Sequence, residues 1–190
     1  MNNVKFALMG EKGVGKSYIA DIIEKFLYNS WQMAFADELK TMTEFAFDWI
    51  PSKYDSPEFK EVPIPHVLNI NNLSYREIIV EYASILNRIE PGIFIRKLEQ
   101  NIRWIVQENS KVNIFITDVR TQGEVQWCKD NHIPIIKIVG NSELKSNQGV
   151  LFENFVKDYE TSLMFTNIKD KTTEKDIVNF FGQFLNRKDS

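Results

Sequence analysis

Residues 4–17 read VKFALMGEKGVGKS. The six residues Val4–Met9 form a short apolar run broken only by Lys5, a pattern that predicts a buried strand rather than a signal peptide. The eight that follow, GEKGVGKS at 10–17, fit the order glycine, any four residues, glycine, lysine and serine or threonine. Three of the chain's 8 glycines fall inside this loop, where they let the backbone turn tightly so that its amides converge on phosphate oxygens. A helix opening near Lys16 would aim its positive dipole end at the same place. Gly10, Gly13, Val14, Gly15, Lys16 and Ser17 are therefore the candidate nucleotide-binding residues. Lys16 is expected to reach the β- and γ-phosphates of ATP, and Ser17 to offer its hydroxyl to Mg²⁺. Lys12, unconstrained by the pattern, is assigned to solvent. The competing reading is a tight strand-to-helix turn with a solvated lysine.

Strands and helices alternate downstream of this loop. Ile19, Ile22, Ile23, Phe26 and Leu27 make one helical stripe within 16–29. A second apolar stretch around Trp31–Ala36 ends at Asp37, and Met42, Phe45, Ala46 and Trp49 continue at helical spacing. Four of the 6 prolines lie between Pro51 and Pro65, which predicts an irregular surface segment. Ser74 and Glu77 stand in capping-box register ahead of a helix with Ile78, Ile79, Tyr82, Ala83 and Leu86. Another helix follows Pro91-Gly92 with Phe94, Leu98, Ile102, Ile105 and Val106 as its apolar face. Val112–Thr117 and Ile133–Val139 are β-branched runs separated by a helix through Trp127 and Cys128, as expected for a parallel sheet covered on two faces. The stretch from Gly140 to Ser162 reads as a loop or small helix pair. A short strand over Leu163–Ile168 and a last helix with Ile177, Val178, Phe181, Phe184 and Leu185 close an α/β chain.

At 190 residues and 22.3 kDa with 43% hydrophobic content, the chain is expected to form one compact domain. Its 23 basic and 26 acidic residues leave a net charge of −3, which provides no cationic field for nucleic acid or an anionic membrane. Phosphate binding must then be local. The single Cys128 excludes an internal disulfide and a multi-cysteine zinc site, and reads as a small buried hydrophobe in a reducing compartment. No apolar run approaches the roughly 18 residues of a membrane span. A soluble cytoplasmic protein is expected.

A phosphate loop needs a second carboxylate to steady its metal, and Asp118 follows the apolar run at 112–116 in the Walker-B position. Asp37 ends a predicted strand at the sheet edge where open α/β folds bind ligands. For both, capping the next helix is the competing reading. Of the six arginines, Arg76, Arg88 and Arg120 are candidates for gripping phosphate, while Arg96, Arg103 and Arg187 fit solvated helix faces. His66 and His132 lack partner spacing for a metal or a triad. The tryptophans and phenylalanines mostly fall on stripes or strand runs, so core packing explains them better than base stacking.

Taken together, GEKGVGKS at 10–17, FADELK at 35–40, SYREII at 74–79 and ITDVR at 116–120 resemble the bacteriophage-type deoxynucleoside monophosphate kinases, in the same order along nearly the whole chain. The resemblance implies a P-loop kinase three-layer fold with a parallel sheet, a helical acceptor-binding insert and a lid. It implies one domain with a core at about 1–50, 110–139 and 163–190, an insert at about 51–109 and a lid at about 140–162. The implied activity is transfer of the ATP γ-phosphate, with Mg²⁺, to a 2′-deoxynucleoside 5′-monophosphate. Lys16, Arg88, Arg120 and Asp118 would be catalytic, with Ser17 and Asp118 toward the metal and Asp37, Lys40 and Arg76 toward the acceptor. No nucleic-acid or membrane partner is implied, and a homodimer stays open. Ala83-Ser84 stands where relatives often have Gly-Thr, Thr121-Gln122-Gly123-Glu124 replaces Phe-Pro-Asn-Glu, and 140–162 holds no arginine. Two alternatives stay open: a dephospho-coenzyme A kinase-like enzyme, whose hydroxyl acceptor would want a base such as Asp37, and a nucleotide-binding protein without transfer.

Overall fold

The structure is a computed structural model that describes residues 3–56, 58–140, 150–168 and 171–186. Pro57, Arg187, residues 141–149 of the expected lid, and the side chains of Phe184 and Leu185 lie outside the described residues. The chain forms two compact units, 1–34 with 99–190, and 35–98.

The first unit is an α/β fold around a parallel sheet. Strands β1 (Val4–Met9), β2 (Ser30–Met33), β3 (Asn113–Val119), β4 (Ile135–Gly140) and β5 (Met164–Asn167) pair in the order β2-β3-β1-β4-β5, every neighbour parallel. Phe6, Leu8, Phe115, Ile136, Ile138 and Phe165 share one core with Ile19, Ala20, Ile22 and Ile23 of α1 (Lys16–Phe26) and with Ile177 and Phe181 of α7 (Glu174–Asn186). The alternate residues Ala7, Met9, Ile114 and Ile116 are also fully buried, so the sheet is covered on both faces. That double burial is why its strands read as continuous apolar runs. Cys128 on α5 (Gln122–Asp130) is fully buried, as its small apolar side chain predicts.

Sheet order also locates the ligand edge. The chain steps from β1 outward to β2, returns to β3 beside β1, then crosses to β4 on the other flank of β1. The direction of winding reverses at β1, and open α/β sheets bind ligands at such a reversal, beyond the carboxyl ends of the strands.

The second unit carries α2 (Asp37–Ala46), a short 3₁₀ turn (Ser52–Asp55), α3 (Tyr75–Ile89) and the start of α4 (Ile93–Glu108). Its core is Tyr54, Ile64, Tyr75 and Ile78, flanked by Phe47, Trp49, Phe59 and Leu73. The proline-rich stretch is thus no purely surface segment, since Tyr54 and Ile64 are buried. Asn69 explains how irregular backbone can pack there: its Nδ2 donates to the carbonyls of Ile64 and Leu73, both at 2.8 Å, while its Oδ1 accepts from Leu73 N–H. Helix α2 stops at Ala46, because Phe47 leaves the helical region and joins Trp49 in this second core. Phe45, expected on a buried stripe, is 90% exposed, and Trp31 and Trp104 also lie open to solvent.

Candidate phosphate-binding site

The loop that leaves β1 at Gly10 is shaped by close approach and by left-handed backbone. A Cβ on Gly10 would stand 2.7 Å from the Ile138 carbonyl of the neighbouring strand. Gly13 and Gly15 have φ of 85° and 86°, a region that residues with a Cβ adopt only at a cost. Between them Val14 is buried in the main core and anchors the loop. Helix α1 starts at Lys16 with no side-chain cap and no acid in its first turn, whereas α3 and α5 each carry a full capping box. Its leading N–H groups and its positive dipole end therefore suit an anion. Lys16 Nζ donates to the carbonyls of Gly10 at 2.6 Å and Glu11 at 2.8 Å, which bends the ammonium back across the loop. Ser17 is exposed on the first turn. Lys12, expected in solvent, is partly buried and has partners.

Asp118 is the penultimate residue of β3, and Met9 pairs with Val119 across the β1–β3 ladder, so the ends of the two strands lie side by side. This brings Asp118 and Arg120 to the same edge as the loop at 10–17. Asp118 does not cap the next helix. Thr121 does, its Oγ1 accepting from Glu124 N–H at 3.2 Å while Glu124 Oε2 accepts from the N–H groups of Thr121 at 2.9 Å and Arg120 at 2.7 Å. Burial, aided by the Asp118 charge, pushes the Glu124 carboxyl up to about 7 against the pull of those hydrogen bonds. Burial likewise pushes the Cys128 thiol up to about 12, with the charges of Glu124 and Asp118 adding to it. The acidic character of this edge thus comes from two carboxyls. The second was legible only as a Thr-x-x-Glu cap following Asp118.

Asp37, Lys40, Arg76 and Arg88 lie in the unit 35–98. Asp37 opens α2 as its first helical residue, the cap position being Ala36, so the N-cap reading fails for it too. Lys40 Nζ pairs with Asp55 at 3.0 Å, and Arg76 Nε donates to Glu61 at 2.5 Å. Arg88 is exposed in the last turn of α3. His66 stacks on Trp49, with ring centroids 4.8 Å apart, as a packing residue.

The residues present fit a magnesium nucleotide. Among the described residues no group of three or more His, Cys, Asp or Glu is placed to hold a metal ion by itself. One hydroxyl and one carboxylate, Ser17 and Asp118, suit Mg²⁺, which binds through few protein ligands and relies on substrate phosphates and water. Among the described residues no helix is long and apolar enough to cross a membrane.

No protein-family model and no curated protein matches the sequence. Among solved structures, a tunicamycin resistance protein from Deinococcus radiodurans aligns with a TM-score of 0.49 at 11% identity, over 95% of this chain and 94% of that one. Dephospho-CoA kinase from Campylobacter jejuni aligns with a TM-score of 0.52 at 16% identity, over 98% of both chains. The chain accordingly has a P-loop kinase-type α/β fold, distantly similar over nearly its whole length to that of a dephospho-CoA kinase.

Proposed function

We propose that this chain is a small-molecule kinase that transfers the γ-phosphate of ATP with the help of Mg²⁺. The observation that carries the reading is the loop at 10–17: two glycines in left-handed backbone, an uncapped helix start and a lysine folded across them, beside the Asp118 end of β3. Lys16, Arg120 and Arg88 would offset charge on the transferred group, with Ser17 and Asp118 toward the metal. Phosphoryl transfer asks the protein mainly for positioning and electrostatics, which is what such residues supply.

Two acceptor classes have support. The FADELK, SYREII and ITDVR segments favour a deoxynucleoside monophosphate, with Asp37, Lys40 and Arg76 toward the acceptor. Its phosphate, with a second pKa near ~6, is largely dianionic at neutral pH and needs no base. The fold likeness to a dephospho-CoA kinase over nearly the whole length favours a hydroxyl acceptor of that type, for which Asp37 would act as the base. The fold comparison weighs toward this second class.

The test is ADP release from ATP and Mg²⁺ against deoxynucleoside monophosphates, ribonucleotides and dephospho-coenzyme A. Turnover of one class assigns the acceptor. ATP binding without turnover of any of them would replace the kinase with a nucleotide-binding protein, and absence of ATP binding would overturn the reading of residues 10–17.

A further inference from the structure

Strand β5 ends at Asn167, whose register partner is Gly140 at the end of β4. The Asn167 side chain is partly buried, and its Nδ2 donates to the carbonyl of Val14 at 2.8 Å, across 153 residues of sequence. Because a carbonyl only accepts, this bond fixes which end of the amide faces the loop. Two glycines are fitted around the same residue. A Cβ on Gly15 would collide with the Asn167 side-chain nitrogen, whereas a Cβ on Gly140 would collide with the Asn167 backbone carbonyl oxygen, which any residue at 167 would carry. The Asn167 side chain thus occupies the space beside the loop at 10–17 that an ordinary residue at 15 would fill.

The peptide plane connects this contact to the site. Val14 C=O and Gly15 N–H belong to one trans peptide, in which the two groups point in opposite directions. Holding the carbonyl against Asn167 turns the Gly15 N–H to the opposite side of the strand of loop. Gly15 sits at φ 86° directly before α1, whose start has no side-chain cap, and its own carbonyl accepts from Ile19 N–H at 3.0 Å; the Asn167 bond adds a fixed partner on the other side of the Val14–Gly15 peptide. A loop amide stabilises an anion best when it is already oriented, since no reorganisation is then needed as the ligand arrives.

We propose that Asn167 is a positioning residue of the nucleotide site, which acts through the Val14–Gly15 peptide to aim the Gly15 N–H at a phosphate group. The inference rests on the phosphate-binding reading of residues 10–17 and adds a residue from the far end of the chain to it. Asn167 itself need not touch the nucleotide.

Titration with Mg²⁺ and ADP, followed by calorimetry and by ¹⁵N amide spectra, tests the inference. In the parent, the Gly15 amide resonance should move on ADP addition, as expected for an N–H that takes a phosphate oxygen. Asn167→Ala should weaken ADP binding about tenfold, the loss of roughly one well-made hydrogen bond to a charged ligand. Asn167→Asp keeps the side-chain size while replacing the donor by a carboxylate facing a carbonyl, so it should weaken binding at least as much and shrink the Gly15 shift. Full affinity and an unchanged Gly15 shift in Asn167→Asp would show that Asn167 only fills space, and would overturn the inference while ADP binding by the parent upheld the phosphate reading. If neither variant folds, the side-chain amide resonances of Asn167 in the parent decide: a shift on ADP addition together with Gly15 would support the inference, and an unmoved Asn167 side-chain amide beside a moved Gly15 would overturn it. A parent that binds no ADP, like the Lys16→Ala control, would remove both.

Discussion

Lys16 holds two loop carbonyls with one ammonium, and its substitution separates binding chemistry from folding. Lys16→Ala should lower ATP-dependent turnover by at least roughly 10²-fold, the order expected for losing one preorganised electrostatic donor. Its melting temperature should fall only modestly, because the change gives up two partly buried hydrogen bonds to loop carbonyls while Lys16 belongs to neither core. Turnover and melting measured on one preparation check this. Tyr75 presents the opposite case. Its hydroxyl is buried in the second unit's core with no hydrogen-bond partner among the described residues, and burial, with the charges of Asp55 and Glu44, pushes it up to about 12. Removing an unpaired buried polar group relieves its desolvation cost. Tyr75→Phe is expected to stabilise the protein by about 1 kcal/mol, seen as a higher urea midpoint at unchanged slope. A lower midpoint would mean that the hydroxyl is satisfied after all.

At the scale of elements, helix ends carry much of the local information. Ser74 and Glu77 close both halves of the α3 capping box, with Glu77 Oε2 accepting from Ser74 N–H at 2.8 Å. Ser74→Ala should cost about 1 kcal/mol by the same urea measurement. The α5 cap has a pH signature as well. Burial holds the Glu124 carboxyl up at about 7 in the folded chain, above its ordinary value of 4.5. Between those values the folded state holds a proton that the unfolded state has released. The contribution of this group to stability is therefore fully present below 4.5 and is lost as pH rises through 7. Urea midpoints of Glu124→Gln in metal-free buffer should lack this decline across the interval. A variant that declines as steeply as the parent would trace the pH dependence to another group.

For the whole molecule, Cys128 offers a built-in probe. It is fully buried and its thiol is pushed up to about 12, so a thiol reagent at neutral pH should label it only through opening of the first unit's core. Any ligand that binds the folded state alone makes such opening rarer in proportion to its saturation. Mg²⁺ with ATP should then slow labelling in the parent and leave Lys16→Ala nearly unaffected. Equal labelling rates of the parent with and without the nucleotide would deny binding to the folded state.

Local sequence determined a great deal of this protein. The strand at Val4–Met9, the glycine-bearing loop, the start of α1 and the capping box at Ser74 were legible because each depends on neighbours within a few residues, where backbone preference, side-chain size and hydrogen-bond reach decide the outcome. Asp118 was legible as a strand-end carboxylate for the same reason. Only the tertiary structure decided that Thr121 rather than Asp118 caps α5, since two suitable residues stood three positions apart and strand pairing settled where β3 ends. It alone buried Tyr54 and Ile64 from a stretch that reads as surface, and left Phe45 exposed on a stripe that reads as core. Lys137 shows the principle most plainly: within an apolar strand run its ammonium is satisfied by the carbonyls of Lys157 and Tyr159, both at 2.7 Å, partners that no local pattern announces. The Asn167–Val14 bond is of the same kind. Such contacts join residues far apart along the chain, and their free energy becomes available only once the sheet order has brought them together.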